Sequence, residues 1–248
     1  MILPIRAVVV GGTKGLGRVI TQRFLDRGCA VTVISRNPPV DRVLSDRVTH
    51  VPCDLESLTN ATEVAGQVAA VGGAINYLVF CQRYRGRGDP WGGELQVTLT
   101  ATQQLILALI PGFATAGDRA VAVVSSVYAR FVGGSQPVSY HVAKAGLNQL
   151  VRHYAWTLGR DGVRVNAIMP LTYMKEESRE HYLSNAPLMD LYRRCVPLAR
   201  MGTTDDSANL IDFLCSDKSA FITGQAIYVD GGLSVVWPEE LALGLTRL

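Results

Sequence analysis

With 248 residues, 48% of them hydrophobic, the chain can bury a sizeable core, and a single domain over residues 1–248 is expected. A formal charge of +3, small and spread along the sequence, gives no reason to invoke nucleic acid or a membrane surface as a partner. The cysteines Cys29, Cys53, Cys81, Cys195 and Cys215 are odd in number and lack disulfide or metal-ligand spacing, which points to a reducing compartment and no bound metal.

The start, MILPIR, is too short in apolar residues before Arg6 for a secretory segment, and no later run approaches the ~18 apolar residues of a membrane span, so a cytoplasmic location is expected. Ala7 to Val10 form a short β-branched run, GGTKGLG follows, and Val19, Ile20 and Phe24 then recur at helical spacing until Gly28. The pattern reads as strand, tight turn and helix. Gly11, Gly15 and Gly17 allow a backbone to approach a pyrophosphate at a helix N-terminus, where free N–H groups and the dipole favour anions. The next strand, Ala30 to Ser35, ends in Arg36. An acid near this point would bond the ribose 2′-hydroxyl of NAD, whereas Arg36, together with Lys14 in the glycine turn, suits the 2′-phosphate of NADP(H). A third strand, Thr49 to Pro52, precedes Asp54, which either accepts from an adenine amino group or caps the following helix.

Further strands are expected at Tyr77 to Cys81, Ala120 to Ser125, Val163 to Met169 and Ala226 to Val229. Helices are expected near 57–70, 91–110, 139–160 and 204–215, the last capped by Thr203 or Thr204. This alternation implies an α/β fold of the Rossmann type, a doubly wound parallel sheet in a three-layer α/β/α arrangement, with ligands beyond the C-terminal strand ends. The glycine turn, Ser126 and Pro170 fall there. On a helix Tyr140 and Lys144 stand one turn apart on one face. Such a pair is commonly just a solvated helix face. An ammonium ~4 Å from a phenol at an effective dielectric of ~20 would, however, lower the phenol pKa by up to roughly three units. Tyr140 would then exchange protons near neutrality, and Ser126 would hydrogen-bond the reacting oxygen.

GGTKGLG, Asp54, Ser126 with YHVAK, RVNAIMP and FITGQAIYVDGG together resemble the short-chain dehydrogenase/reductase superfamily, in the single-domain branch that includes 3-oxoacyl-(acyl carrier protein) reductases. The likeness runs from about Arg6 to Gly232. It implies hydride transfer between a nicotinamide cofactor and a carbonyl or alcohol substrate, free or carrier-linked, with Tyr140 as acid-base residue, Ser126 as donor to the substrate oxygen and Lys144 on the nicotinamide ribose. It also implies cofactor contacts from Thr13, Leu16, Pro170 and Thr172, and a homotetramer or homodimer joined through the helices near 91–110 and 139–160.

The sequence departs from that pattern in places. Phe80-Cys81-Gln82-Arg83 stands where the family has N-N-A-G, Leu171 where it has glycine, and Lys175 where a threonine would meet the nicotinamide amide. Thr98 replaces the asparagine that holds a relay water, which leads to the expectation of an active enzyme slowed by proton resupply. Residues 171–200 read as a lid, with Tyr173, Met174, Tyr182, Met189 and Tyr192 either lining the pocket or packing on the body. Arg83, Arg85 and Arg87 read as a solvated loop, the alternative being attraction of a phosphorylated carrier such as CoA. Two functions are consistent with these features: an NADP(H)-dependent reductase or dehydrogenase, or a cofactor-binding protein of the same fold with little redox activity, a sensor or accessory subunit.

Overall fold

The computed structural model describes residues 4–246. In chain order the elements are β1 (Arg6–Val10), α1 (Gly15–Asp26), β2 (Ala30–Ser35), α2 (Arg42–Ser45), β3 (Val48–Pro52), α3 (Ala61–Ala70), β4 (Tyr77–Phe80), α4 (Pro90–Glu94), α5 (Ala101–Leu109), β5 (Ala120–Val124) and α6 (Val138–Gly159). They continue with β6 (Arg164–Pro170), β7 (Tyr173–Met174), α7 (Arg179–Ser184), α8 (Ala186–Cys195), β8 (Gly202–Thr203), α9 (Thr204–Leu214), β9 (Ala226–Val229) and α10 (Pro238–Thr246).

Seven strands form one parallel sheet in the order β3-β2-β1-β4-β5-β6-β9. Strands buried on both faces need continuous apolar runs, and β1 (RAVVV) and β4 (YLVF) are buried throughout. One face is covered by α1 and α9, where Ile20 and Phe24 meet Ala208 and Ile211; the other carries α3, α5 and α6, through Val68, Leu105, Leu147 and Val151. The arrangement is the Rossmann-type three-layer fold expected from the alternating pattern.

Strand order reverses between β1 and β4. The crevice at that switch point opens beside Gly11, which follows β1, and Cys81 to Arg83, which follow β4. Two distant motifs are fixed to each other on β6: Asn166 donates through Nδ2 to the Ile222 carbonyl at 2.8 Å and accepts at Oδ1 from the Gln225 N–H at 3.0 Å. At the foot of the sheet buried Arg164 donates to Asp118 at 2.8 Å, and Asp118 also accepts from the Tyr77 hydroxyl at 2.8 Å. The helix expected at 204–215 starts with a capping box, in which the Thr203 hydroxyl accepts from Asp206 N–H while the Asp206 carboxylate accepts from Thr203 N–H.

Two expectations shift. The helix expected from residue 57 begins at Ala61, because Asn60 is its cap, accepting from the N–H groups of Thr62 and Glu63. Asp54 therefore does not cap it; it closes a local turn by accepting from Glu56 N–H at 3.1 Å. The helical stretch near 91–110 is also interrupted, since Leu95–Thr100 winds as a π-helix between α4 and α5.

Candidate active site

The glycine turn is built for close approach. Gly11 and Gly15 have φ of +77° and +50°, a conformation that disfavours a side chain. A Cβ on Gly17 would run into the Gly11 carbonyl oxygen, and one on Gly11 would lie 2.9 Å from the Gln82 nitrogen. Helix α1 has no side-chain cap and no acid in its first turn, which leaves its N-terminal N–H groups suited to an anion. The turn therefore fits a dinucleotide phosphate. One of its donors already has a partner, for Gly15 N–H donates to the Glu177 carboxylate at 2.8 Å.

A cavity of about 600 Å³ lies over the C-terminal strand ends. It brings together Ser126, Tyr140 and Lys144, and among the expected cofactor contacts Lys14, Gly15, Leu16, Gly17, Pro170 and Thr172. Gly11, Thr13, Arg36 and Asp54 are not part of its wall. Arg36, at the end of β2, forms an exposed ion pair with Glu56 at 3.3 Å, of a kind worth about 0–1 kcal/mol and easily exchanged for another anion.

Local structure positions each member of the triad. Ser126 is extended and caps a short 3₁₀ turn, Val127–Ala129, accepting from Tyr128 N–H at 3.2 Å. Ser125 pins α6 to the end of β5 by donating to the Lys144 carbonyl at 3.2 Å. The Lys144 ammonium, almost fully buried, donates to the Val124 carbonyl at 2.8 Å and lies 5.6 Å from the centre of the Tyr140 ring. Burial brings the Lys144 pKa down to about 8, with Arg83 adding to the fall and Glu94 opposing it.

The tyrosine departs from expectation. Its pKa is raised, because burial outweighs the hydrogen-bonding influence of Ser126 and the charge of Arg83, and Glu94 and Tyr128 push the same way as burial. The lysine does not depress it as the spacing alone suggested; the ammonium is directed at Val124 and its charge is itself disfavoured by burial.

Two features of the site were not foreseen, and a third bears on an alternative the sequence left open. Glu94, 4% exposed, accepts from the Thr98 hydroxyl at 2.5 Å, so the threonine at the relay position is committed to a carboxylate. The signal was present in the sequence as a lone acid, Glu94, four residues before Thr98 and at the head of the apolar stretch LQVTLTATQQLILALI. Leu233, Val236, Pro238 and Leu241 from the segment after β9 also line the cavity, and nothing in that segment carries a motif. Arg83 and Arg85 line it as well, whereas Arg87 does not. Of the lid residues Tyr173 and Tyr182 reach the wall; Met174, Met189 and Tyr192 do not.

The sheet, its switch-point crevice and the glycine turn define a Rossmann-type protein built for a dinucleotide. Comparison with known proteins gives its family. A family model described as enoyl-(acyl carrier protein) reductase matches residues 10–234, and the chain belongs to the short-chain dehydrogenase/reductase superfamily. It is 29% identical over 244 residues to a chloroplastic tropinone reductase homolog of Arabidopsis thaliana, covering 92% of this chain and 75% of that one. It is 26% identical over 249 residues to dehydrogenase/reductase SDR family member 4 of Rattus norvegicus, covering 91% and 86%. Among solved structures, the NADP active-site complex of Pseudomonas aeruginosa RhlG superposes with a TM-score of 0.82 at 26% identity, covering 94% of this chain and 97% of that one. Ligand-free aldohexose dehydrogenase of Thermoplasma acidophilum, at 24% identity, TM-score 0.82 and coverage of 95% and 96%, matches in fold.

Proposed function

We propose that the protein is an NADP(H)-dependent oxidoreductase acting on a carbonyl or alcohol substrate. The observation that carries this reading is the convergence of Ser126, Tyr140 and Lys144 on one cavity with the glycine turn. The nicotinamide cofactor would supply or accept the hydride. Ser126 then donates to the substrate oxygen, Tyr140 gives that oxygen a proton during reduction and removes it during oxidation, and Lys144 holds the nicotinamide ribose. Gly11, Thr13, Lys14, Gly15, Leu16 and Gly17 receive the pyrophosphate side, with Pro170 and Thr172 near the nicotinamide and Asp54 near the adenine. Arg36 turns from Glu56 to the 2′-phosphate, which is the basis for choosing NADP(H) over NAD(H); the NADP complex of the RhlG relative supports that choice. Residues 171–200 act as the lid of one domain. Among the described residues no helix is long and apolar enough to cross a membrane, and the free cysteines suit a reducing, cytoplasmic setting.

The test is NADPH oxidation with a panel of ketones, aldehydes and acyl thioesters. Tyr140→Phe is expected to lower kcat at least 100-fold while leaving the Kd for NADPH within about threefold, since only a proton is lost. NADPH is expected to bind more tightly than NADH, with Arg36→Asp narrowing the gap. Retention of most of the rate in the phenylalanine variant would move the acid-base role elsewhere. Tight binding without turnover of any compound would favour the non-redox reading.

A further inference from the structure

Beside Tyr140 the cavity wall is cationic, and the loop after β4 builds it. Tyr84 packs against the core, and a Cβ on Gly86 or Gly93 would clash with its ring, so these two glycines clamp it. Arg83 and Arg85, on either side of this anchor, both reach the cavity. The Arg83 guanidinium lies 5.3 Å from the centre of the Tyr140 ring and donates to Gln136 Oε1 at 2.9 Å, a neutral partner on the loop leading to Tyr140. Lys175 from the lid adds a third cation to the wall, its stem running past Gly15 of the glycine turn.

Among the described residues neither arginine touches a counter-ion and none of Arg83, Arg85 and Lys175 forms an ion pair, whereas Lys175 feels the charge of Glu177. The acid in the cavity wall, Asp230, is occupied by the N–H groups of Gly232 and Ser234 at 3.0 and 2.7 Å. Lys175 is held below the usual lysine range by burial and then by Arg85 and Arg83, with Glu177 opposing the fall. Arg83 and Arg85 are exposed and Lys175 is half-buried, so water screens much of their repulsion, and an anion that joins them relieves the rest. The phosphates of a dinucleotide belong at the glycine turn, whereas Arg83 lies on the reacting tyrosine.

We infer that the substrate is an anionic carbonyl compound, with a carboxylate or phosphate close to the reacting carbon, bound through the planar donor fork of Arg83 with Arg85 and Lys175 supplying further positive field. This rests on the oxidoreductase reading and adds the substrate class to it. A guanidinium stacked on the Tyr140 ring would hold the anionic end of the substrate while its carbonyl faces the phenol and the Ser126 hydroxyl.

The experiment pairs each anion with its neutral counterpart: acetoacetate with ethyl acetoacetate, and dihydroxyacetone phosphate with dihydroxyacetone, under NADPH oxidation. One acid is expected to exceed its neutral partner at least tenfold in kcat/KM, mainly through KM, and the pair that shows it tells carboxylate from phosphate. Arg83→Gln should cut that preference at least tenfold, and Arg83→Lys should restore part of it. Binding provides a readout independent of turnover: malonate and inorganic phosphate are titrated by calorimetry into wild type, Arg83→Gln, Arg83→Lys and Arg85→Gln, with melting temperatures in buffer confirming that each variant is folded. At least one anion should bind, and the glutamine variants should weaken it at least fivefold. Absence of anion binding, or binding unchanged in Arg83→Gln, overturns the inference whether or not turnover is found. Arg83-dependent anion binding without turnover of any compound overturns the oxidoreductase reading alone.

Discussion

Glu94 carries a carboxylate into a place with almost no water, one hydrogen bond from Thr98 and within electrostatic reach of both Lys144 and Tyr140. Its charge acts on the two groups in the same direction: it favours the protonated lysine and the protonated phenol. Neutralising it should therefore let both lose their protons at lower pH. Glu94→Gln is nearly isosteric and keeps an acceptor for the Thr98 hydroxyl, so the helix should survive while the electrostatics change. The expected result is a pH–rate profile displaced toward acid by about half a unit to one unit, the order expected of one charge acting through an intermediate dielectric. A profile that keeps its position while the melting temperature falls would assign Glu94 to packing. Burial of Lys144 has a separate consequence for stability. Its pKa of about 8 in the fold lies below the ordinary 10.5, so between those values the unfolded chain binds the extra proton, and this group makes the fold more stable as pH rises through that window.

At the scale of elements the notable contact is that of the 3₁₀ turn Glu176–Ser178, at the start of the lid, with the N-terminus of α1. Burial pushes the Glu177 carboxyl up, but the hydrogen bonds from its own N–H and that of Gly15, together with Lys175 and Arg18, outweigh this and hold it below the usual carboxylate range. The contact is thus fully formed above the ordinary glutamate pKa of about 4.3 and is lost as pH falls through the lowered value. At neutral pH a carboxylate rests on a donor that suits a phosphate, and the two anions repel. Glu177→Gln should tighten NADPH binding by about tenfold, a little over 1 kcal/mol and within the range for one such repulsion near a protein surface. Weaker binding in that variant would show that the carboxylate helps to order the lid. This contact was not legible in the sequence, since residues 15 and 177 are joined only by the fold. The elements themselves largely were: β2 and β9 run as read, and the other sheet strands differ by one residue at an end or both, because buried parallel strands announce themselves as apolar runs between turns. The π-helical turn was invisible because periodicity does not separate i+4 from i+5 winding over one turn. Arg83 and its neighbours, RYRGRGD, read as a solvated loop, and Arg83 is exposed; that it also reaches the cavity depends on the clamp on Tyr84, which requires Gly93, a residue the sequence does not tie to it.

On the whole molecule the question is how many copies work together, and the surface bears on it. The helices near 91–110 and 139–160, which the family resemblance places at a subunit interface, carry apolar side chains that this chain leaves uncovered. Val138 and Trp156 are 67% and 76% exposed; they lie eighteen residues, five helical turns, apart on α6 and so share a face, on which half-exposed Val142 also falls. Leu107 on α5 is 56% exposed. A single exposed leucine needs no explanation, but an indole and two valines along one face of a helix are more apolar surface than a solitary subunit ordinarily presents. Two copies meeting through this face would bury it, and Tyr140 and Lys144, near the start of the same helix, would be held more rigidly. We therefore expect wild-type protein to run as a homodimer or homotetramer in size-exclusion chromatography with light scattering. Trp156→Glu, which removes a large apolar surface and places a charge where the partner would sit, should shift the mass toward one chain and reduce kcat more than it raises KM. The lysine-bearing end of α6 is distant in sequence from residue 156, so a drop in kcat that follows dissociation would report on support from the partner. If the wild type has the mass of one chain at micromolar concentration, the exposed face of α6 has some other occupant; if the glutamate variant keeps its mass, the interface lies elsewhere on the molecule.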